Sequence, residues 1–107
     1  MVLIDKTKIN KITWEFQGEI NKVHNPYSLK INFKGLIFTN FIRQESKIVS
    51  LEGDKLISEG KGNIKFRFIS SPEYLHIGSD FIFRQGRIRA FGTIKAFFPI
   101  DKLTINN

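Results

Sequence analysis

Apolar and polar residues alternate with a period of two over most of this chain, the repeat of a strand with one face buried. Trp14, Phe16, Gly18 and Ile20 fall on one parity, and Glu15, Gln17 and Glu19 on the other. Ile64, Phe66 and Phe68 alternate with Lys65, Arg67 and Ile69, and Phe81 and Phe83 with Ile82 and Arg84. Turn residues punctuate these runs at Asn25-Pro26, Glu52-Gly53-Asp54, Glu59-Gly60-Lys61-Gly62 and Ser71-Pro72. Gln85-Gly86 sits between two strand patterns and predicts a tight hairpin, with Gly supplying positive φ. The pattern predicts about six strands, near 14–23, 33–41, 44–51, 62–70, 80–84 and 87–96, with one turn of helix possible within Pro72–Ile77. Strands at this spacing with no helices between them predict an all-β fold, a closed barrel or a sandwich. The barrel is expected over 14–98, with 1–13 as an arm or lead-in strand and 99–107 as a tail.

Composition narrows the function more than the fold. A length of 107 residues predicts one domain. Ala is scarce while Phe reaches 11, which favours strands. With no Cys, disulfides, thiolate zinc sites and thiol nucleophiles are excluded. His24 and His76 are far apart in sequence, so no metal or cofactor is expected. His24 reads as a turn residue and His76 as a packed one. Met1–Asn10 carries Asp5, Lys6 and Lys8 and lacks the apolar core of a signal peptide, and no apolar run is long enough to span a membrane. An intracellular, cytoplasmic protein without a membrane partner is expected. Phosphate-cradling and hydrolase motifs are absent, and Glu15 and Glu19 read as one solvated strand face. The expectation is a non-enzyme without a small-molecule substrate.

Charge supplies the positive signal. Lys and Arg number 17 against 10 acids, a net +7 that favours polyanionic partners. Arg84-Gln85-Gly86-Arg87-Ile88-Arg89 places three arginines around the expected hairpin, with Arg87 and Arg89 on one strand face. If the strand carrying Lys65 and Arg67 neighbours it, the cations form a patch suited to phosphates. The plainer alternative is an ordinary charged barrel exterior. Asn40 and Gln44 predict a bend that carries Arg43, either towards a ligand or into a surface pair with Glu45 or Glu52. Lys65-Phe66-Arg67-Phe68 has the interleaving of an RNA-stacking strand, but Phe66 and Phe68 share a parity with Ile64 and read as core, as does Trp14.

Phe66-Arg67-Phe68-Ile69, Pro72-Glu73-Tyr74-Leu75-His76-Ile77, Phe83-Arg84-Gln85-Gly86-Arg87 and Gly92-Thr93-Ile94, in that order, resemble the C-terminal β-barrel, domain III, of elongation-factor-Tu-like translational GTPases. Trp14-Glu15-Phe16, His24 with Pro26, and Arg43-Gln44 extend the likeness, which is greatest to the GTP-binding protein 1 and 2 branch. The resemblance implies a six-stranded antiparallel closed barrel. It also implies a partner: in this family the third domain packs on the GTP-binding domain, and in elongation factor Tu it grips the T-stem backbone of tRNA.

Carried over by residue, the tRNA-touching Arg-Glu-Gly hairpin falls on Arg84, Gln85 and Gly86. A Gln of the second strand falls on Lys34, and a Thr before the next strand falls on Arg43. Gln85 thus replaces a carboxylate, Lys34 and Arg43 replace neutral groups with cations, and Gly60-Lys61 stands where Gly-Asp is usual. A length of 107 residues has no room for a GTPase domain or a second barrel beside this one, so the chain reads as either a domain of a larger GTPase or a free-standing barrel. The expected RNA-binding set is Lys34, Arg43, Arg84, Gln85, Gly86, Arg87 and Arg89, with tRNA or ribosomal RNA as partner. The alternatives are a barrel that docks a GTP-binding domain or another protein, favoured if Phe38, Phe91, Phe97 or Phe98 is exposed, and a basic structural or packaging protein.

Overall fold

Strict alternation leaves each strand one face to bury, and a sheet that curls until its edges meet buries all those faces together. The computed structural model, which describes residues 12–24, 29–52 and 59–99, shows this closure. Its elements are β1 (Ile12–His24), β2 (Lys34–Thr39), β3 (Ile42–Leu51), β4 (Gly62–Phe68), β5 (Glu73–Tyr74), β6 (Asp80–Gln85) and β7 (Ile88–Pro99). The strands run in the order β4-β3-β2-β6-β7-β1, and pairing of β4 with β1 closes a six-stranded barrel, to which the two-residue β5 adds along β1. Every ladder is antiparallel.

The strands match the sequence expectation to within about two residues at most ends, the usual uncertainty of a boundary. Pro72–Ile77 holds no helical turn. Glu73 instead faces Thr13 and Tyr74 faces Ile12 in the β5–β1 ladder. Ile12 and Thr13 begin β1, while 1–11 and 100–107, expected as arm and tail, lie outside the described residues. The turn at Asn25-Pro26 and most of the one at Gly53-Asp54 also lie outside them.

The interior is built mainly of phenylalanine and isoleucine. Phe16, Phe66, Phe68, Phe81 and Phe83 are buried with Ile20, Ile37, Ile48, Ile64 and Ile94. Phe16 stacks on Phe66 at 5.2 Å, and Phe81 meets both rings edge-on at 5.4 and 5.5 Å. Such ring pairs contribute roughly 0.5–1.5 kcal/mol each beyond their buried area. Phe66 and Phe68 are therefore core, as expected, and their strand offers no stacking platform.

The barrel has two distinct ends. One holds the β2–β3 turn at Asn40-Phe41, the β4–β5 and β5–β6 connections and the start of β1. Gln44 ties this rim together: its Oε1 accepts from the Ser70 and Ser71 N–H groups at 2.9 and 2.8 Å, and its Nε2 donates to the Glu73 carboxylate. Thr39 Oγ1 donates to the Asp80 carbonyl at 2.8 Å. The other end holds the β6–β7 hairpin, the start of β2 and the end of β1.

Candidate nucleic-acid interface

The β6–β7 hairpin has a two-residue loop, Gly86-Arg87, closed by the Gln85–Ile88 pair. Gly86 has φ of +58° and Arg87 is not in the positive-φ region, the pattern of a type II′ turn with Gly first. No atom lies within 4 Å of where a Gly86 Cβ would stand, so the loop backbone is open to an approaching ligand. Arg84, Gln85, Gly86, Arg87 and Arg89 are all exposed.

Strand register decides which of the expected residues meet. Arg84 faces Arg89 across the hairpin, Leu36 flanks Arg84, and His24 flanks Arg89. In the next outer row Arg43 faces Phe38, and Phe38 faces Ile82. The guanidinium groups of Arg43 and Arg84 lie 5.8 and 5.9 Å from the Phe38 ring centre, so one half-buried aromatic steadies both cations. With Leu36 opposite Arg84, the same register puts Lys34, two residues earlier, level with the hairpin tip. Lys34, Arg84, Gln85, Gly86, Arg87 and Arg89 therefore meet at the hairpin end, while Arg43, at the start of β3, stands further along the same wall towards the other rim.

Two expectations are corrected here. Lys65 and Arg67 do not join the hairpin, because β4 lies between β3 and β1 and pairs with neither hairpin strand. Both are held by Glu15, Lys65 at 3.4 Å and Arg67 at 3.2 Å. Arg43 pairs with neither Glu45 nor Glu52. It lies over Phe38, while Glu52 accepts from the Asn63 backbone and side chain at 2.7 and 2.9 Å. The tight turn falls at Asn40-Phe41, where Asn40 has φ of 49°, and Arg43 is already on β3.

Other single residues also differ. Trp14 sits half-buried at the edge of the core, with the Arg67 guanidinium 5.3 Å from its ring. His24 ends β1 and meets Phe91 edge-on, and His76 is exposed. Glu19 pairs with Lys95 at 3.6 Å, in keeping with a solvated strand face.

Among the described residues the ion pairs are those of Lys65, Arg67 and Lys95, so Lys34, Arg43, Arg84, Arg87 and Arg89 have no carboxylate within 4.0 Å. Arginines set opposite each other repel, and like charges in cross-strand register are destabilising. No carboxylate among the described residues relieves the repulsion, and a bound polyanion can. Among the described residues no cluster of three or more His, Asp or Glu could hold a metal ion, and no helix is long and apolar enough to cross a membrane. The sequence reading missed Phe38 as a platform and Lys47, which faces Lys34. Outward parity was legible for both, but their neighbours were not.

Comparison with known proteins agrees with the likeness read from the residues. The chain is 36% identical over 108 residues to GTP-binding protein 1 of Xenopus laevis, covering 100% of this chain and 16% of that protein. It is 26% identical over 95 residues to GTP-binding protein 2 of Mus musculus and of Homo sapiens, covering 88% of this chain and 16% of each. The chain thus spans 16% of the length of these curated relatives. No family model and no solved structure matches it.

Proposed function

We propose that this barrel is a non-catalytic module that grips the sugar–phosphate backbone of RNA, tRNA or ribosomal RNA, through the β6–β7 hairpin. The observation that carries the reading is the group of exposed cations around Phe38 and the hairpin, none offset by a carboxylate among the described residues. Arg84, Arg87 and Arg89 contact phosphates, by forked hydrogen bonds where geometry allows. Gly86 lets a phosphate approach the loop backbone, Gln85 hydrogen-bonds to sugar or phosphate, and Lys34 and Arg43 flank the track. Similarity to part of the GTP-binding proteins supports a place beside translational GTPases, and the family resemblance supplies tRNA as the first ligand to try.

The test is titration with tRNA, duplex DNA and a neutral protein at two salt concentrations. Selective tRNA binding that weakens steeply with salt is expected, because phosphate contacts release counterions. Arg84→Ala/Arg87→Ala should keep the fold and lower the slope of log affinity against log salt by about 2, one per lost phosphate contact. Unchanged affinity in the folded double variant would sink the hairpin assignment.

A second reading has its own observation. Among the described residues, six of the seven large apolar side chains left exposed, namely Ile12, Phe41, Ile69, Tyr74, Ile77 and Phe98, lie on the rim opposite the hairpin or at the strand ends that reach it. Ile31 is the exception. Of the aromatics expected to mark a docking face, Phe98 is exposed while Phe38, Phe91 and Phe97 are half-buried. This rim is suited to docking a protein, and the relatives' length makes a GTP-binding domain the first candidate. The two readings use different surfaces and are compatible.

A further inference from the structure

A second basic row lies on the β2–β3–β4 wall and begins at Lys34, beside the hairpin tip. Lys34 faces Lys47 on β3, and Lys47 faces Arg67 on β4. Three cations thus stand side by side on adjacent strands, about 5 Å apart at the backbone. Like charges directly opposite one another cost stability, and here the arrangement occurs twice in one row. Lys34 and Lys47 have no ion-pair partner among the described residues. The nearby acids are Glu15, already shared by Lys65 and Arg67, and Glu45, two positions from Lys47 along β3.

The row borders a depression of about 280 Å³ lined by Trp14, Lys34, Lys47, Arg67, Phe68 and Ile69. Trp14 reaches it through a bulge. Thr13 faces Pro99 and Glu15 faces Phe98, so Trp14 is the extra residue on β1. A bulge of this kind re-aims a side chain, and such bulges recur beside functional sites. The indole turns towards β4, where Arg67 packs on it. The site therefore combines ammonium groups without an ion pair among the described residues, a guanidinium and an aromatic wall, the pairing used to hold a nucleic-acid strand by its phosphates and bases.

We propose that Lys34, Lys47, Arg67 and Trp14 form a second contact for the RNA backbone, continuous with the hairpin through Lys34. The proposal rests on the RNA reading above and extends it: the ligand follows the barrel wall from the hairpin tip to Trp14, and the end of the track is a single-stranded or unpaired segment that can meet an indole.

Trp14 is the sole tryptophan in the chain, so its emission reports on this groove directly. The experiment titrates a labelled single-stranded RNA oligonucleotide, following label anisotropy and Trp14 emission together, in three proteins: the native chain, Lys34→Gln/Lys47→Gln, and Arg84→Ala/Arg87→Ala. In the native chain, emission should change in step with anisotropy. In Lys34→Gln/Lys47→Gln, affinity should fall several-fold, the salt slope should drop by about 2, and the emission change should shrink. Arg84→Ala/Arg87→Ala should bind more weakly yet keep the full emission change at saturation. Binding with silent Trp14 and unchanged affinity in Lys34→Gln/Lys47→Gln overturns the groove and leaves the hairpin standing. Native affinity in Arg84→Ala/Arg87→Ala, with loss in Lys34→Gln/Lys47→Gln, overturns the hairpin and leaves the groove. If the native chain binds tRNA but not the oligonucleotide, the groove is overturned and the hairpin stands, and if it binds neither RNA, both are overturned.

Discussion

At the residue scale, the barrel depends on places where a side chain is absent as much as on those where one is present. The Phe81 ring lies over the backbone of Gly18 on β1 and Gly92 on β7, and a Cβ at Gly18 would stand 2.3 Å from it. At Gly92 a Cβ would fall 2.5 Å from the Glu19 carbonyl and 2.9 Å from the ring. A backbone oxygen cannot swing aside as a flexible side-chain end can. Gly92→Ala must therefore shift the β1–β7 ladder, and an overpacked core typically loses about 1–3 kcal/mol. Urea unfolding should show a lower midpoint with an unchanged slope. Gln44 is a second such point, for the opposite reason. It is buried, and its single amide serves two backbone N–H groups and a carboxylate. Gln44→Ala strips these partners together and should cost about 1–3 kcal/mol by the same measurement.

At the element scale, the β6–β7 hairpin places function and stability in opposition. Arg84 and Arg89 face each other on its outer side. Arg89→Glu replaces repulsion with attraction and should stabilise the barrel by no more than about 1 kcal/mol, the range of an exposed cross-strand pair. It should weaken RNA binding all the same, because a cation is lost and an anion is added beside the phosphate track. A raised melting temperature together with lost affinity separates a binding surface from a structural one. What was legible beforehand follows the same division. Alternation exposed the parity of Ile64, Phe66 and Phe68, and Gln85-Gly86 marked the hairpin, since both are local signals. Glu73-Tyr74 pairs with Ile12-Thr13 some 60 residues away, a contact that no local pattern records. Lys47 beside Lys34 is likewise a matter of register: outward parity was readable, but not which outward residue stands next to it. The bulge that frees Trp14 hides from a period-two reading, because it breaks the period at one position.

At the scale of the whole molecule, charge and apolar exposure are segregated. Among the described residues the hairpin end and the β2–β3–β4 wall carry cations without an ion-pair partner and the far rim carries Phe41, Ile77 and Tyr74, and the two regions meet at Ile69, which lines the Trp14 groove. The segregation gives the two proposed partners separate places, so their contributions can be separated by mutation. Phe41 is fully exposed at a hairpin tip and packs on nothing that supports the core. Phe41→Ser/Ile77→Ser should therefore leave unfolding stability within about 0.5 kcal/mol per site, as expected of surface positions. It should also leave RNA affinity and its salt slope intact. If the rim docks a GTP-binding domain, the same variant should lose binding to that domain from GTP-binding protein 1, measured by calorimetry. Arg84→Ala/Arg87→Ala should retain that binding while losing RNA. This crossed pattern requires two independent surfaces. If both variants lose both partners, one shared surface or a global change in the fold would explain the result, and the two-ended arrangement would fall.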